Sequence, residues 1–202
     1  MAARMVRVWD PLVRIIHWLL VIAFIIGYVT EGDPLWLHTW AGYVVAGLVV
    51  VRIVWGFVGP RHARFSDFVT GPRKAVGYLA GLIRRKAPRY IGHSPAGGAM
   101  TVALLVFLAA ISVTGMMTLA DTDNAGPLAA WFGNPDVVAA REAALAAGQE
   151  FRYRSPFKEP HEVLVNITLV LIILHLVGVA LASVVHRESL PRAMVTGMKR
   201  AE

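Results

Sequence analysis

Residues 161–186 read HEVLVNITLVLIILHLVGVALASVVH, an apolar run interrupted by two histidines fourteen positions apart, His161 and His175. In an α-helix each residue turns about 100° and rises about 1.5 Å. Fourteen steps therefore return a side chain to within roughly 40° of its starting direction, about 21 Å further along the axis. Both imidazoles address the same neighbours at two depths.

Three more apolar runs, 12–29, 38–58 and 99–120, join the run at 163–185 in approaching the roughly 20 residues that cross about 30 Å of hydrocarbon. The 202 residues are 56% hydrophobic and 16% charged, with a mean hydropathy of +0.57, too apolar for an ordinary soluble domain. None of the runs alternates as a barrel strand would, and backbone facing lipid must satisfy its own polar groups. The expected fold is an all-α membrane protein, a four-transmembrane-helix bundle forming a single domain over 1–202. The first run carries His17 and is followed by Glu31, Gly32 and Asp33 rather than by a small-residue cleavage site, so it is expected to remain as a helix.

Basic residues set the expected orientation. Arg4, Arg7 and Arg14 lie at the head of the chain, eight Lys or Arg separate the second and third runs, and Arg187, Arg192, Lys199 and Arg200 close it. The opposite side has no Lys or Arg between runs one and two, and only Arg141, Arg152, Arg154 and Lys158 between three and four. The positive-inside rule places both termini in the cytoplasm. Charge at the lipid headgroups also accounts for the net +7 without nucleic acid. The absence of cysteine excludes disulfides, thiolate-ligated or covalently attached haem, and iron–sulfur clusters held by this chain.

Short interfacial helices are expected in the loops. On the inner side GPRKAVGYLAGLIRRK (71–86) mixes Val76, Tyr78, Leu79, Leu82 and Ile83 with basic residues at helical spacing. The outer loop, 121–160, contains NPDVVAAREAALAAGQE, whose Asn134-Pro135 marks a helix start.

An imidazole within the hydrocarbon is costly and is directed into a bundle towards a functional partner. Run one travels outward and run four inward, so His17 and His175 share the inner depth. His38 opens run two at the outer surface, level with His161. The four residues thus form two pairs, His38 with His161 and His17 with His175. Two stacked bis-histidine pairs suit two haem b groups, each iron taking one imidazole from each of two facing helices. A structural zinc, which prefers four ligands around one ion, fits less well, and a proton relay does not require level pairs. Gly27, Gly42, Gly47, Gly115 and Gly178 leave room for a flat ring, although small residues equally permit close helix packing. Arg52, in the inner half of run two, and Arg14, one turn before His17, are the candidate partners of inner haem propionates, snorkelling being the alternative for Arg52. His62, His93 and His186 are interfacial positions; Ser94-Pro95 reads as a helix cap, and His93 could border an inner quinone pocket.

WDPLVRIIHW (9–18), the H-x-x-x-G at His38–Gly42, GHSPAGGAM (92–100), HEVLVN (161–166) and HRESLPRAMVTGMKR (186–200) together resemble the bacterial cytochrome b561 family, especially the b-type cytochrome subunits of membrane-bound nickel–iron hydrogenases. The likeness covers nearly the whole chain, with Ser94 where hydrogenase-type members often carry Asn. It implies that His17, His38, His161 and His175 ligate two haems. It also implies electron transfer between a periplasmic redox partner, such as a cytochrome or enzyme subunit, and membrane quinone. Two alternatives stay open: a self-contained quinone-linked oxidoreductase acting on a small substrate such as superoxide, and a haem-free transporter or proton conduit. No catalytic residue is assigned.

Overall fold

The computed structural model describes residues 4–201. Its four long helices are α1 (Pro11–Thr30), α2 (Leu35–Val58), α5 (Pro95–Asp123) and α8 (Lys158–Val185), all long and apolar enough to cross a membrane. Between α2 and α5 lie α3 (Phe65–Phe68) and α4 (Pro72–Ile83); between α5 and α8 lie α6 (Ala129–Phe132) and α7 (Pro135–Ala146). A last short helix, α9 (Leu190–Thr196), leads into β2 (Met198–Arg200), which pairs antiparallel with β1 (Met5–Arg7).

Every spanning helix is longer than its apolar run, because the ends are built from polar caps and prolines that hydropathy does not count. Asp10 Oδ1 accepts from Val13 N at 3.1 Å and starts α1 at Pro11. Ser94 Oγ accepts from Gly97 N at 3.1 Å and starts α5 at Pro95. Such side chains satisfy amides that have no partner within the helix. The expected cap at Asn134 is present likewise, accepting from Val137 N at 3.3 Å. His38 and His161 consequently lie inside the first turns of α2 and α8 rather than at their first residues.

The helices pack in series, α1 on α2, α2 on α5 and α5 on α8, whereas α1 and α8 make no comparable contact among the described residues. Ala23, Val45, Val49, Leu105 and Leu108 form the buried centre of the first three. The outward faces keep large apolar side chains exposed, among them Val29, Phe57, Ile173 and Leu176, as expected where lipid is the solvent. Helix α4 turns Ala75, Tyr78 and Leu82 inward against α5 and the end of α8, leaving Val76, Leu79 and Ile83 exposed between Arg73, Lys74 and Arg84. The helix expected within 71–86 is thus present, with its apolar and basic residues mixed as read from the sequence.

The β1–β2 pair brings the two termini together, with Val6 opposite Lys199. The terminal segments and the connection from α2 to α5 thus form one basic end of the bundle. Arg89 and Lys199 reinforce it by closing on Glu188 at 2.8 and 3.0 Å. The small sheet and α9 are additions to the expected all-helical plan.

Candidate cofactor site

Along α8 from His161 to Ala180 the half-buried or buried positions are His161, Leu164, Val165, Thr168, Leu169, Leu171, Ile172, His175, Gly178 and Val179. That stripe recurs at the helical period, so both histidines face the bundle, as their spacing requires.

At the end away from the termini, the His38 and His161 rings lie 6.2 Å apart between centroids, inclined at 74°. That separation lets one metal take a nitrogen from each ring at about 2.0–2.1 Å. The other nitrogen of each ring is anchored. His38 Nδ1 is 2.9 Å from the Gly27 carbonyl and 3.3 Å from Thr30 Oγ1. His161 Nδ1 is 3.1 Å from the Ile111 carbonyl and 3.2 Å from Thr114 Oγ1. An Nδ1–H donating to a carbonyl leaves Nε2 as a free ligand and fixes the ring's direction. These acceptors were not evident in the sequence, since they depend on how closely α1 meets α2 and α5 meets α8. Gly115 explains the latter: a Cβ there would stand 3.0 Å from His161 Cε1.

At the basic end His17 and His175 both face inward, half-buried. His17 Nδ1 is buried with no partner. Arg52 is only 5% exposed, so it does not snorkel: its guanidinium lies 5.4 Å from the Phe65 ring centroid, near Asp10, and both terminal nitrogens lack partners. Gly56 makes this possible, because any side chain there would collide with Phe65. Arg14 donates from Nη1 to the Val195 carbonyl, leaving Nε buried and unpaired. Among the described residues, all the unpartnered buried side-chain polar atoms belong to this end: Arg14, His17, Arg52, Thr70 and His93. Buried polar groups without partners are costly, and their concentration around two arginines matches an anionic, hydrogen-bonding group.

His93 was the least evident of these residues. Trp9 meets it edge-on at 4.6 Å and Phe68 lies at 4.2 Å, packing partners distant in sequence. Burial, together with the nearby charges of Arg52, His62 and Lys199 and against that of Asp67, pushes its pKa down to about 3, so the ring is neutral. His62 instead pairs with Asp67 at 3.1 Å, and His186 with the Tyr78 hydroxyl at 3.1 Å.

The donor set fits haem. No group of three or more His, Asp or Glu that could cage an ion occurs among the described residues. Each histidine pair suits a metal that brings its own equatorial donors. A methyl group at Gly42 or Gly178 would meet nothing within 4 Å, which leaves the flanks of His38 and His175 clear for a flat ring. The family model for prokaryotic cytochrome b561 matches residues 8–197. The chain belongs to that family.

Membership makes the chain a multi-pass bacterial membrane protein with b-type haem. Among its relatives, a probable Ni/Fe-hydrogenase B-type cytochrome subunit of Bradyrhizobium diazoefficiens is 29% identical over 140 residues, covering 54% of this chain and 56% of that one. Proteins of the same description from Azotobacter vinelandii and Azotobacter chroococcum are 30% and 31% identical over 146 residues, 57% of this chain and 60% of each of theirs. The matched region thus spans little more than half the length of these relatives. No solved structure matches the chain.

At the far end Asp121 is buried and accepts from the Tyr153 hydroxyl at 2.9 Å and from Asn134 Nδ2 at 3.3 Å, while Arg141 pairs with Asp123 at 2.8 Å. The 121–160 segment is thereby tied to the end of α5. Its basic residues Arg152, Arg154 and Lys158 face Glu150, Glu159 and Glu162 at 3.0, 3.4 and 3.9 Å.

Proposed function

We propose that the chain is a di-haem b-type cytochrome that carries electrons across the membrane between quinone and a redox partner. His38 with His161 would hold one haem, and His17 with His175 the other. The observation that carries this reading is the 6.2 Å separation of the His38 and His161 rings with both Nδ1 atoms anchored. The second pair follows from the shared face of α8 and a spacing of about 21 Å along it.

Haem supplies one-electron transfer at a potential set by its axial ligands, burial and nearby charge. The chain's contribution is to orient four imidazoles, exclude water and supply charge. Arg52, with Arg14, would pair with propionates at the basic end; there the unpartnered guanidinium nitrogens support the assignment. His93, neutral and clamped by aromatic rings, offers a hydrogen bond to a quinone headgroup beside that haem. The basic end would face the cytoplasm by its concentration of Lys and Arg, and the end bearing α6 and α7 would face the periplasm and the partner. A hydrogenase-like enzyme is the kind of partner the relatives' descriptions suggest. The acidic partners of Arg152, Arg154 and Lys158 argue against a positive funnel that would draw a small anion to the far end.

The test is transmembrane electron flow. Haem-loaded protein in sealed vesicles containing a short-chain hydroquinone should reduce ferricyanide, an impermeant one-electron acceptor, only when ferricyanide faces the 121–160 end. Equal rates with haem-free protein would refute the reading.

A further inference from the structure

The two far-end histidines are held by one device, repeated in different helices. In α1 the Thr30 hydroxyl donates to the Ile26 carbonyl at 2.9 Å, and its oxygen stands 3.3 Å from His38 Nδ1, which is also 2.9 Å from the Gly27 carbonyl. In α5 the Thr114 hydroxyl donates to the Ala110 carbonyl at 2.8 Å, and its oxygen stands 3.2 Å from His161 Nδ1, which is also 3.1 Å from the Ile111 carbonyl. Each imidazole thus meets one carbonyl and the threonine three residues beyond it. Threonines bonded back to their own helix are ordinary, and Thr101, Thr118 and Thr168 do the same. Among the described residues, only Thr30 and Thr114 also meet an imidazole nitrogen.

The hydrogen positions follow from the partners. A carbonyl oxygen only accepts, so Nδ1 of each ring carries the hydrogen. The threonine oxygen facing that hydrogen accepts as well, because its own hydrogen is spent on the carbonyl one turn back. Each N–H is therefore shared between two acceptors, and each Nε2 keeps its lone pair. The basic-end pair is built otherwise. His17 Nδ1 is buried with no partner, and the positive charges of Arg14 and Arg52 stand at that end, each with buried nitrogen left unpaired.

We propose that Thr30 and Thr114 are positioning residues that lower the midpoint potential of the far-end haem and hold it below that of the basic-end haem. This rests on the di-haem reading given above. An acceptor on Nδ1–H makes an imidazole a more basic ligand, which favours ferric iron over ferrous. Both far-end rings have such acceptors, whereas His17 has none. At the basic end the arginine charges act in the opposite sense and favour the ferrous state. An electron shared between the two sites therefore rests at the basic end.

The haem-loaded full-length chain is titrated anaerobically with the α-band as readout, beside Thr30→Val, Thr114→Val, Thr30→Ser and Thr114→Ser. The component missing from His161→Ala marks the far-end haem. In the unaltered chain that component should have the lower potential. Valine keeps the branched shape without the oxygen, so both valine substitutions should move the far-end component upward, leave the other in place, and weaken haem binding at the far end by about tenfold. Both serine substitutions keep the oxygen and should keep the unaltered potential. Unmoved potentials in both valine variants overturn the proposal even if affinity falls. Equal shifts in the valine and serine variants overturn it too, since shape rather than the hydrogen bond would then be the cause. A far-end component lying above the basic-end one overturns it without any variant. If His161→Ala loses no haem, the di-haem reading and the proposal fall together.

Discussion

Replacing Gly115 by alanine should loosen the far-end ligand pair more than it disturbs the fold. A Cβ at 115 would stand 3.0 Å from His161 Cε1 and 3.3 Å from its Nδ1, whereas carbon atoms prefer about 3.5–4.0 Å. The ring must retreat by roughly half an ångström. It is tethered at 3.1 Å to the Ile111 carbonyl and at 3.2 Å to Thr114 Oγ1, and such a retreat takes both beyond about 3.5 Å, where a hydrogen bond no longer counts. Losing these bonds and leaving Nδ1 unsatisfied costs about 1–3 kcal/mol. The better helix propensity of alanine, about 1 kcal/mol, acts on the haem-free and haem-loaded chain alike and does not enter the affinity. That cost in placing His161 corresponds to a roughly five- to 140-fold weaker site at about 1.4 kcal/mol per decade, comparable to the effect of removing groups that orient a metal ligand. Haem titration into haem-free Gly115→Ala, followed by the Soret band, measures this. Affinities equal to those of the unaltered chain at both sites would refute the reasoning.

Other substitutions test the remaining parts. His175→Ala should lose the basic-end haem while retaining the other, and His161→Ala the reverse, read from haem per chain in the purified proteins. Arg52→Leu should lower the midpoint potential of the basic-end haem in a redox titration, by about 60 mV if the lost charge contributes about 1.4 kcal/mol; it should also make the haem-free protein more heat-stable, since an unpartnered buried guanidinium is unfavourable. Glu188 is pushed up by burial, but hydrogen bonds and charge from Arg89 and Lys199 outweigh this and hold its pKa below the ordinary carboxylate value. The stabilisation it supplies is therefore present above about pH 4.5 and disappears as pH falls through the depressed value, so limited proteolysis of the terminal segments should accelerate only in that acid range. Glu188→Gln, which keeps an acceptor oxygen but removes the negative charge facing the buried Lys199 and Arg89, should lower stability by roughly 3 kcal/mol at neutral pH, measured by thermal unfolding.

Much of this architecture was legible because a membrane imposes long, uniform signals. Twenty apolar residues mark a helix, and a fourteen-residue interval between histidines sets both their common face and their two depths. The caps at Ser94 and Asn134 were legible too, because each acts on an amide three residues away. What escaped depends on contacts between distant segments. Three-residue strands carry no period, so the pairing of Met5–Arg7 with Met198–Arg200 left no trace in hydropathy. The clamp on His93 needs Trp9 and Phe68 to converge. The anchors of His38 and His161 are backbone carbonyls, which every residue has and only packing selects. Arg52 lay between these cases: its sequence position allowed either snorkelling or burial, and the insertion of Phe65 against Gly56 accompanies burial.

The central claim is that four histidines make two bis-imidazole haem sites in this single chain. Haem extraction against amino-acid quantification, with electron paramagnetic resonance of the oxidised protein, tests it directly. The account predicts two b-type haems per chain, both low-spin, and the loss of one in either His161→Ala or His175→Ala. A single haem, or a single variant that empties both sites in a folded protein, would contradict it.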